Sequence, residues 1–494
     1  MSETICVRID APKGIWQADG DTNLDPNCAY NARNIRTRRG QLASAYGASR
    51  ALPAIAQGED APPIRTLTRF TRRTRPDDPD VFIAAAGGAL YSYTMGTQGW
   101  VLRAEGFKED RWSYVTYEAA ENGETVDVLI MSNEQDGMVA VYGSDLRVER
   151  KPLALGEGYG EVRFAVLGRY AERIWGTGAP GYPDSVFYSR AYDPFDWTGD
   201  ADIPEDGGGV ISQPTWDGDS FIALGTLGGM LIAGKREAFF EIRGHDPQTF
   251  TITRAYGTDG PVQAATLCSD GARMFYLTRG GVGVYDGSSL RLLARDALCE
   301  VMDRLAPSCM EQATACLCGD VYYLALGLYG EDGTPPAHNN AVIEYDARRG
   351  TFMLRTGVRV RDLYALGGEV YCTDAAAPCE VLRFDDPDAG GYAGAAMDCL
   401  WESGWLDLGK GKKKRDFTLR FTAEADADGV PLTLAVETQR RQKARTILLS
   451  RRRRDYRVKL QASGLRVRLS VRSACAQRWR IVGGIEMTCT AQEA

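Results

Sequence analysis

The chain is poor in the residues that most often carry chemistry near neutral pH, with only two histidines, His245 and His338, in 494 residues. It has no Cys-x-x-Cys pair and no Gly-x-Ser-x-Gly segment. The first absence argues against a zinc site and the second removes the nucleophile elbow of the hydrolases. No apolar run approaches the roughly 20 residues that a membrane helix requires. The opening Met1-Ser2-Glu3-Thr4 has neither a basic nor an apolar leader region, so the product is expected to stay where it is translated unless an assembly carries it out. Twelve cysteines are too dilute for a disulfide scaffold. Most fall in expected strands, where a reduced thiol packs as a small apolar group; Cys316 and Cys318 share one strand face, an awkward chelate but ordinary packing.

What is present is a repeat. Phe221-Ile222-Ala223-Leu224 joins Met230-Leu231-Ile232-Ala233 through Gly228-Gly229, and Phe239-Phe240-Glu241-Ile242 then runs into Thr249-Phe250-Thr251-Ile252. Similar openings recur at 64, 112, 164, 221, 262, 313 and 360. Apolar residues alternate, as on a strand with one buried face, and Asp270-Gly271, Gly367-Gly368 and Asn122-Gly123 supply the tight turns. Four short strands per roughly 40 to 50 residues is the pattern of a β-propeller, whose blades bury their faces only against one another. The count favours seven blades, with six the alternative. Leu290 to Leu305 has helical spacing and reads as an insertion, and the strand Thr4 to Ile9 is expected to close the first blade.

Charge divides the chain. From Asp398 to Ala494 there are 21 Lys plus Arg against 11 Asp plus Glu, net +10, which leaves 37 against 55, net −18, in the remainder. The linker Asp385-Asp386-Pro387-Asp388-Ala389-Gly390-Gly391 precedes a new series of short alternating strands that reads as a β-sandwich. The expected organisation is therefore all-β: an arm and closing strand over 1–60, a propeller over 61–390 and a basic sandwich over 391–494. Two basic runs are the candidate contacts, Lys410, Lys412, Lys413, Lys414 and Arg415, and Arg451, Arg452, Arg453 and Arg454. They could neutralise DNA phosphates, dock on the acidic propeller of a neighbouring subunit or simply be solvated. No aromatic residues are interleaved with them to stack on single-stranded bases.

Catalytic motifs are incomplete. Gly404 to Lys410 has Walker spacing, but Gly411 stands where a Ser or Thr should hold magnesium. Glu424-x-Asp426-x-Asp428-Gly429 begins like a calcium loop but has Ala435 at its twelfth position, and reads as a hairpin tip. Gly281-Val282-Gly283 lacks the helix a dinucleotide needs. Carboxylates Asp217, Asp219, Glu237, Glu241 and Asp259, with Trp175, Trp197 and Trp216, could in principle serve a glycan-active or carbohydrate-binding propeller, although with 66 acidic residues a few near any channel are expected. An intracellular interaction scaffold is a third class. No catalytic residue, cofactor or metal is expected.

Several stretches resemble the tail hub and nozzle proteins of short-tailed bacteriophages. They are Asn31-Ala32-Arg33-Asn34-Ile35-Arg36 with Arg38-Arg39-Gly40-Gln41-Leu42 and Tyr46-Gly47; Ile64-Arg65-Thr66-Leu67 with Ala86-Gly87-Gly88-Ala89-Leu90-Tyr91; Leu231 to Gly287; and Trp401-Glu402-Ser403-Gly404-Trp405-Leu406-Asp407-Leu408-Gly409 with Leu465-Arg466-Val467-Arg468-Leu469. The resemblance implies a non-enzymatic virion protein, assembled in the bacterial host cytoplasm. It implies a homo-oligomeric ring, usually of six copies, below the portal and adaptor, which extends the DNA channel, retains packaged DNA and anchors fibres or spikes. Opposite charges on the two modules suit heterologous docking within such a ring.

Overall fold

The structure is a computed structural model that describes residues 3–18, 24–38, 40–56, 61–121, 123–153, 155, 159–257, 259–330, 332–408 and 411–493. It is all-β, built of small antiparallel sheets. Five repeat openings fall within two residues of strands that begin at Ile64, Ser113, Val166, Ala223 and Thr314, and the one at 360 falls in the second half of the strand Thr351–Leu366. The expected strand at 262 is instead a loop with a short 3-10 turn, Ala264–Thr266, and that repeat opens at Cys268–Ser269. Each opens a meander of four strands, here called units one to seven. Units one to five are separate four-stranded sheets, and units six and seven fuse into one seven-stranded sheet at Thr351–Leu366. The first half of that strand pairs with Asn339–Asp346 and the second half with Glu369–Asp374.

Local chemistry explains the meanders. In unit four, Ala223–Leu227 turns into Met230–Gly234 through Gly228 and Gly229, at φ 56° and 79°, which suits two residues without a Cβ. Asn122 of the expected Asn122-Gly123 turn lies outside the described residues. The expected helix over 290–305 is two single turns, Ala294–Ala297 and Cys299–Met302, parted at Leu298, which leaves helical geometry at φ −128°, ψ 35°. The apolar spacing is right, but neither turn has a side-chain cap for its free N–H groups.

Neighbouring units share cores. Val128 and Ile130 of unit two pack with Phe164 and Trp197 beside unit three, and Trp175 of unit three packs with Leu231 and Phe240 of unit four. Unit one also packs on unit seven: Leu67 and Phe82 share a core with Leu366, Tyr371 and Val381, and the Phe82 and Tyr371 rings meet edge to face at 5.9 Å. The first strands are tied side by side. The Leu167 N–H donates to Ser113 Oγ at 2.9 Å, and the Trp112 N–H donates to Thr66 Oγ1 at 2.8 Å.

The N-terminal segment departs from expectation. Glu3–Ile9 does not close the first unit; it pairs with Trp479–Glu493, in register from Glu3 opposite Ala491 to Ile9 opposite Ile485. Ile9 is buried and Ile5 and Val7 pack against the C-terminal core, which is where this alternation finds an apolar face. The strand that completes a repeat unit is Gly47–Leu52, which pairs with Val381–Asp386 in unit seven. Its first residue passes so close to the neighbouring backbone that a Cβ on Gly47 would stand 2.0 Å from the Gly391 carbonyl oxygen.

After unit seven, two sheets take strands from both chain ends. One has the order Ala29–Arg33, Met397–Ser403, Val467–Cys475, Val430–Thr438, Gln442–Leu449; the other has Ile35–Arg38, Gln41–Ser44, Trp479–Glu493, Lys412–Ala425, Arg454–Gly464. Their buried residues, among them Trp401, Leu419, Leu434, Leu469 and Met487, belong to one core that continues into units five to seven through Phe275, Leu324, Ile343 and Leu354. Asn34 fastens the junction. Held at φ 55° and 1% exposed, it donates Nδ2 to the carbonyls of Thr356 at 3.2 Å and Asp398 at 2.9 Å, and accepts from the Thr356 N–H at 3.1 Å.

Candidate interaction surface

The two basic runs have different fates. Strand alternation leaves Lys413 and Arg415 exposed, while Lys412 pairs with Glu3 across the intervening strand Trp479–Glu493. Lys414 is not a surface contact. Its side chain is fully buried, and Nζ donates to Asp407 at 3.1 Å and to the Leu465 carbonyl. The register explains this: Asp416, at φ 56°, interrupts pairing between Arg415 and Phe417 and brings Phe417 to the inner face as well. Lys410 lies outside the described residues.

Arg451 to Arg453 form the exposed turn between Gln442–Leu449 and Arg454–Gly464, and Arg454 opens the second strand, also exposed. Asp428 holds this turn by accepting from the Arg451 N–H at 2.8 Å and Ser450 Oγ at 2.9 Å, which keeps its carboxyl below the usual range. The Asp426 and Asp428 hairpin tip is thus a turn brace. Among the described residues, none of the four guanidinium groups lies within ion-pair distance of a carboxylate. The same edge carries more than the run. Arg440, Arg441, Lys443, Arg445, Arg457 and Lys459 are all exposed beside it, and Asp455 is the single acid between 440 and 459. These six are interrupted in sequence and so do not read as a run; the signal was the spacing of Lys443 and Arg445, and of Arg457 and Lys459, at alternate positions along exposed strands, with Arg440 and Arg441 in the turn before them. Tyr456, the aromatic residue in this stretch, turns inward and stacks on Phe421 at 5.7 Å.

A cleft of about 1100 Å³ separates units six and seven from the C-terminal sheets, and Arg451 reaches it. Its charges are mostly matched. Arg478 meets Asp426 at 3.3 Å, Arg383 meets Glu369 at 2.6 Å, and Arg480 pairs with Glu424.

The residues considered for a glycan site separate. Trp175 and Trp197 are buried in the cores between units and cannot stack on a ligand. Glu241 accepts from the Tyr285 hydroxyl at 2.6 Å and pairs with Arg243 at 2.8 Å. Asp217, Asp219 and Glu237 do come together: Asp217 accepts from the Asp219 N–H at 3.0 Å, and Asp219 from the Glu237 N–H at 3.0 Å. Trp216 beside them is 94% exposed at φ 62°. The Thr215 hydroxyl and the Asp219 N–H lower the Asp217 carboxyl, which suits a turn and not proton donation.

All twelve cysteines are free thiols, and burial pushes Cys268 up to about 12, far from the reactive thiolate range. Among the described residues no three His, Cys, Asp or Glu side chains converge to hold a metal, and no helix is long and apolar enough to cross a membrane.

No protein-family model and no curated protein matches the chain. Among solved structures, the extracellular domain of a one-component system from B. thetaiotaomicron is similar over 74% of this chain at 12% identity and a TM-score of 0.31, and the chain spans 47% of that domain. A chain of the mitotic checkpoint complex is similar over 69% of this chain and 93% of its own length, at 8% identity and a TM-score of 0.37. A structure described as "CBM4 structure and function" is similar over 28% of this chain and 79% of its own, at 20% identity and a TM-score of 0.16. At these scores none defines a fold family or a function.

Proposed function

We propose that the protein is a non-enzymatic structural component of a bacteriophage tail, a hub, nozzle or neck ring. In this reading the seven units close into a β-propeller through the contact of unit one with unit seven, and the two C-terminal sheets form a sandwich fused to its edge. The observation that carries the proposal is the exposed basic edge over 440–459 on a chain whose net charge is −8. A cationic strip on one module, without ion pairs to Arg451 to Arg454 among the described residues, and a net-acidic repeat on the other are complementary surfaces, and copies joined head to tail through them make a ring where the rotation between copies closes. The ring stacks below the portal and adaptor in the virion, carries fibres or spikes and lets DNA pass. Subunit docking is preferred to single-strand binding because Tyr456 is engaged inward and offers no stacking platform.

The test is assembly. Wild-type protein mixed with an adaptor ring is imaged by negative stain and weighed by light scattering, beside a variant with Arg451 to Arg454 all changed to Glu. Wild-type rings and a variant that stays monomeric are expected; unchanged rings in the variant reject docking through this edge.

A second reading, glycan binding without catalysis, has one observation in its favour. A bulky residue at positive φ that is almost wholly exposed, Trp216, gains nothing from burial for the strain it carries. Binding on a glycan array that is lost with Trp216→Ala would favour it, and a silent array would remove it.

A further inference from the structure

Where units seven, one and two meet, two arginines share one carboxylate and a third has none among the described residues. Arg65 stands at the start of Ile64–Phe70, Arg111 just ahead of Ser113–Glu121, and Arg361 and Asp362 at the start of the unit-seven half of Thr351–Leu366. Arg111 Nη2 donates to Asp362 Oδ1 at 2.9 Å, whereas Arg65 Nε stands 3.6 Å from Oδ2, an ion pair too long for a hydrogen bond. Arg361 has no carboxylate within ion-pair distance among the described residues. Of the other acids nearby, Asp110 accepts from the Gly88 N–H at 2.8 Å and Glu109 from the Arg111 backbone N–H at 2.9 Å.

The cluster is short of negative charge, and its polar atoms are poorly partnered. The Nε atoms of Arg65, Arg111 and Arg361 and the Tyr364 hydroxyl are all buried without a hydrogen-bond partner, as is Asp362 Oδ2. Elsewhere the charge of a buried arginine is matched or spread over several acceptors: Arg355 has two carboxylates, and Arg173, although its Nε is also unpartnered, donates to four backbone carbonyls. A buried polar group without a partner is costly, and like charges held together in low dielectric add to the cost. Burial lowers Arg361 from its ordinary value, and the charges of Arg65 and Arg111 add to this. The outer parts of Arg65 and Arg111 remain open, at 28% and 35% exposure, so a small ligand has access.

We infer that this junction binds a small phosphate-class oxyanion between Arg65, Arg111 and Arg361, in competition with the Asp362 carboxylate. A phosphate brings the missing negative charge and several acceptor oxygens, and guanidinium groups bind it in charge-assisted pairs. The site is independent of the basic edge and of the tail role, and binding is reversible with no covalent step.

Isothermal titration of the full chain with inorganic phosphate, against chloride at matched ionic strength, tests it. One saturable phosphate site that chloride does not fill is expected in the wild type. Arg361→Gln should weaken it at least about tenfold, the loss of one charge-assisted contact. Asp362→Asn should tighten it, since the competing carboxylate is removed. A short thymidine oligonucleotide is titrated in parallel to separate free phosphate from a nucleic-acid backbone. The absence of a saturable phosphate signal in the wild type overturns the inference whether or not the variants fold. So does phosphate affinity unchanged in both Arg111→Gln and Arg361→Gln, or oligonucleotide binding at this site without phosphate binding.

Discussion

Arg355, 2% exposed on the strand that joins units six and seven, donates Nη2 to Oδ1 of Asp385 at 2.7 Å. Its Nε meets Glu344 at 2.5 Å, and it also donates to the Tyr46 carbonyl of the N-terminal segment. The pair thus sits where two repeat units and the arm converge. Burial raises Glu344, while Arg355 and Arg36 together outweigh burial at Asp385 and lower it. Asp385→Asn leaves the guanidinium short of one charge and should cost about 3 kcal/mol. Urea unfolding measures the loss, and limited proteolysis should show earlier cleavage in the arm. Combining it with Arg355→Met should cost less than the two single changes added together.

Gly47→Ala should cost about 2 kcal/mol, because the new methyl group meets the Gly391 backbone, which cannot rotate away as a side chain can. Gly99→Ala, where a Cβ meets nothing within 4 Å, is the matched control and should stay within about 0.5 kcal/mol. Thermal unfolding of both variants decides the matter.

Asp398 links the chain ends, accepting from Arg33 at 2.6 Å and from Arg472 at 2.9 Å. Burial raises its carboxyl, but the two arginines outweigh burial and hold it below the ordinary 3.8. A folded value below the unfolded one means that the pair's stabilisation is fully present above the unfolded value and is lost as pH falls through the folded one. Asp398→Asn should therefore lower the urea midpoint at pH 6, and the gap from wild type should narrow in acid below pH 3.8. An equal gap at both pH values would remove the linkage.

Lys443 and Arg445 are exposed on the edge strand and make no contribution to the core. Changing both to Glu should leave thermal stability within about 0.5 kcal/mol. If the edge docks on an acidic neighbour, the same change should shift the salt concentration at which rings dissociate to a lower value. Light scattering across a salt series reads this directly.

Trp216→Gly should stabilise the protein by up to about 1 kcal/mol, because glycine accepts the positive φ without a Cβ penalty. A loss of stability instead would mean that the exposed indole packs against something the strain argument ignores. Thermal unfolding distinguishes the two.

The repeats were legible because the evidence for each is local: a period of two and a glycine turn, as at Leu224, Gly228 and Leu231, lie within a few residues. Pairing partners were not. Nothing near Glu3–Ile9 indicates that it pairs with 485–491, whereas an unfilled blade edge made a nearer partner look adequate. Gly47–Leu52 falls within the expected arm over 1–60 and was not singled out as a strand; the small size of Gly47 is what admits it beside Gly391. At the candidate surface, the Arg451 to Arg454 run was visible as composition, but the burial of Lys414 depends on one extra residue at Asp416, which no simple alternation reveals. The three-arginine junction was illegible because Arg65, Arg111 and Arg361 are united only by the meeting of units that are distant along the chain.

The pairing of Glu3–Ile9 with Trp479–Glu493 also sets a schedule. A ribosome adding about 5 to 20 residues each second needs on the order of half a minute or more between making the two strands. For that interval Ile5, Val7 and Ile9 have no partner strand, and Gly47–Leu52 waits roughly two thirds as long for Val381–Asp386. The early repeat units can form while the chain is still growing, but the last unit and both C-terminal sheets cannot be completed until synthesis has passed them. A holding chaperone should therefore raise the yield of intact chain most when translation is slow, and have little effect on a fragment of the early units alone.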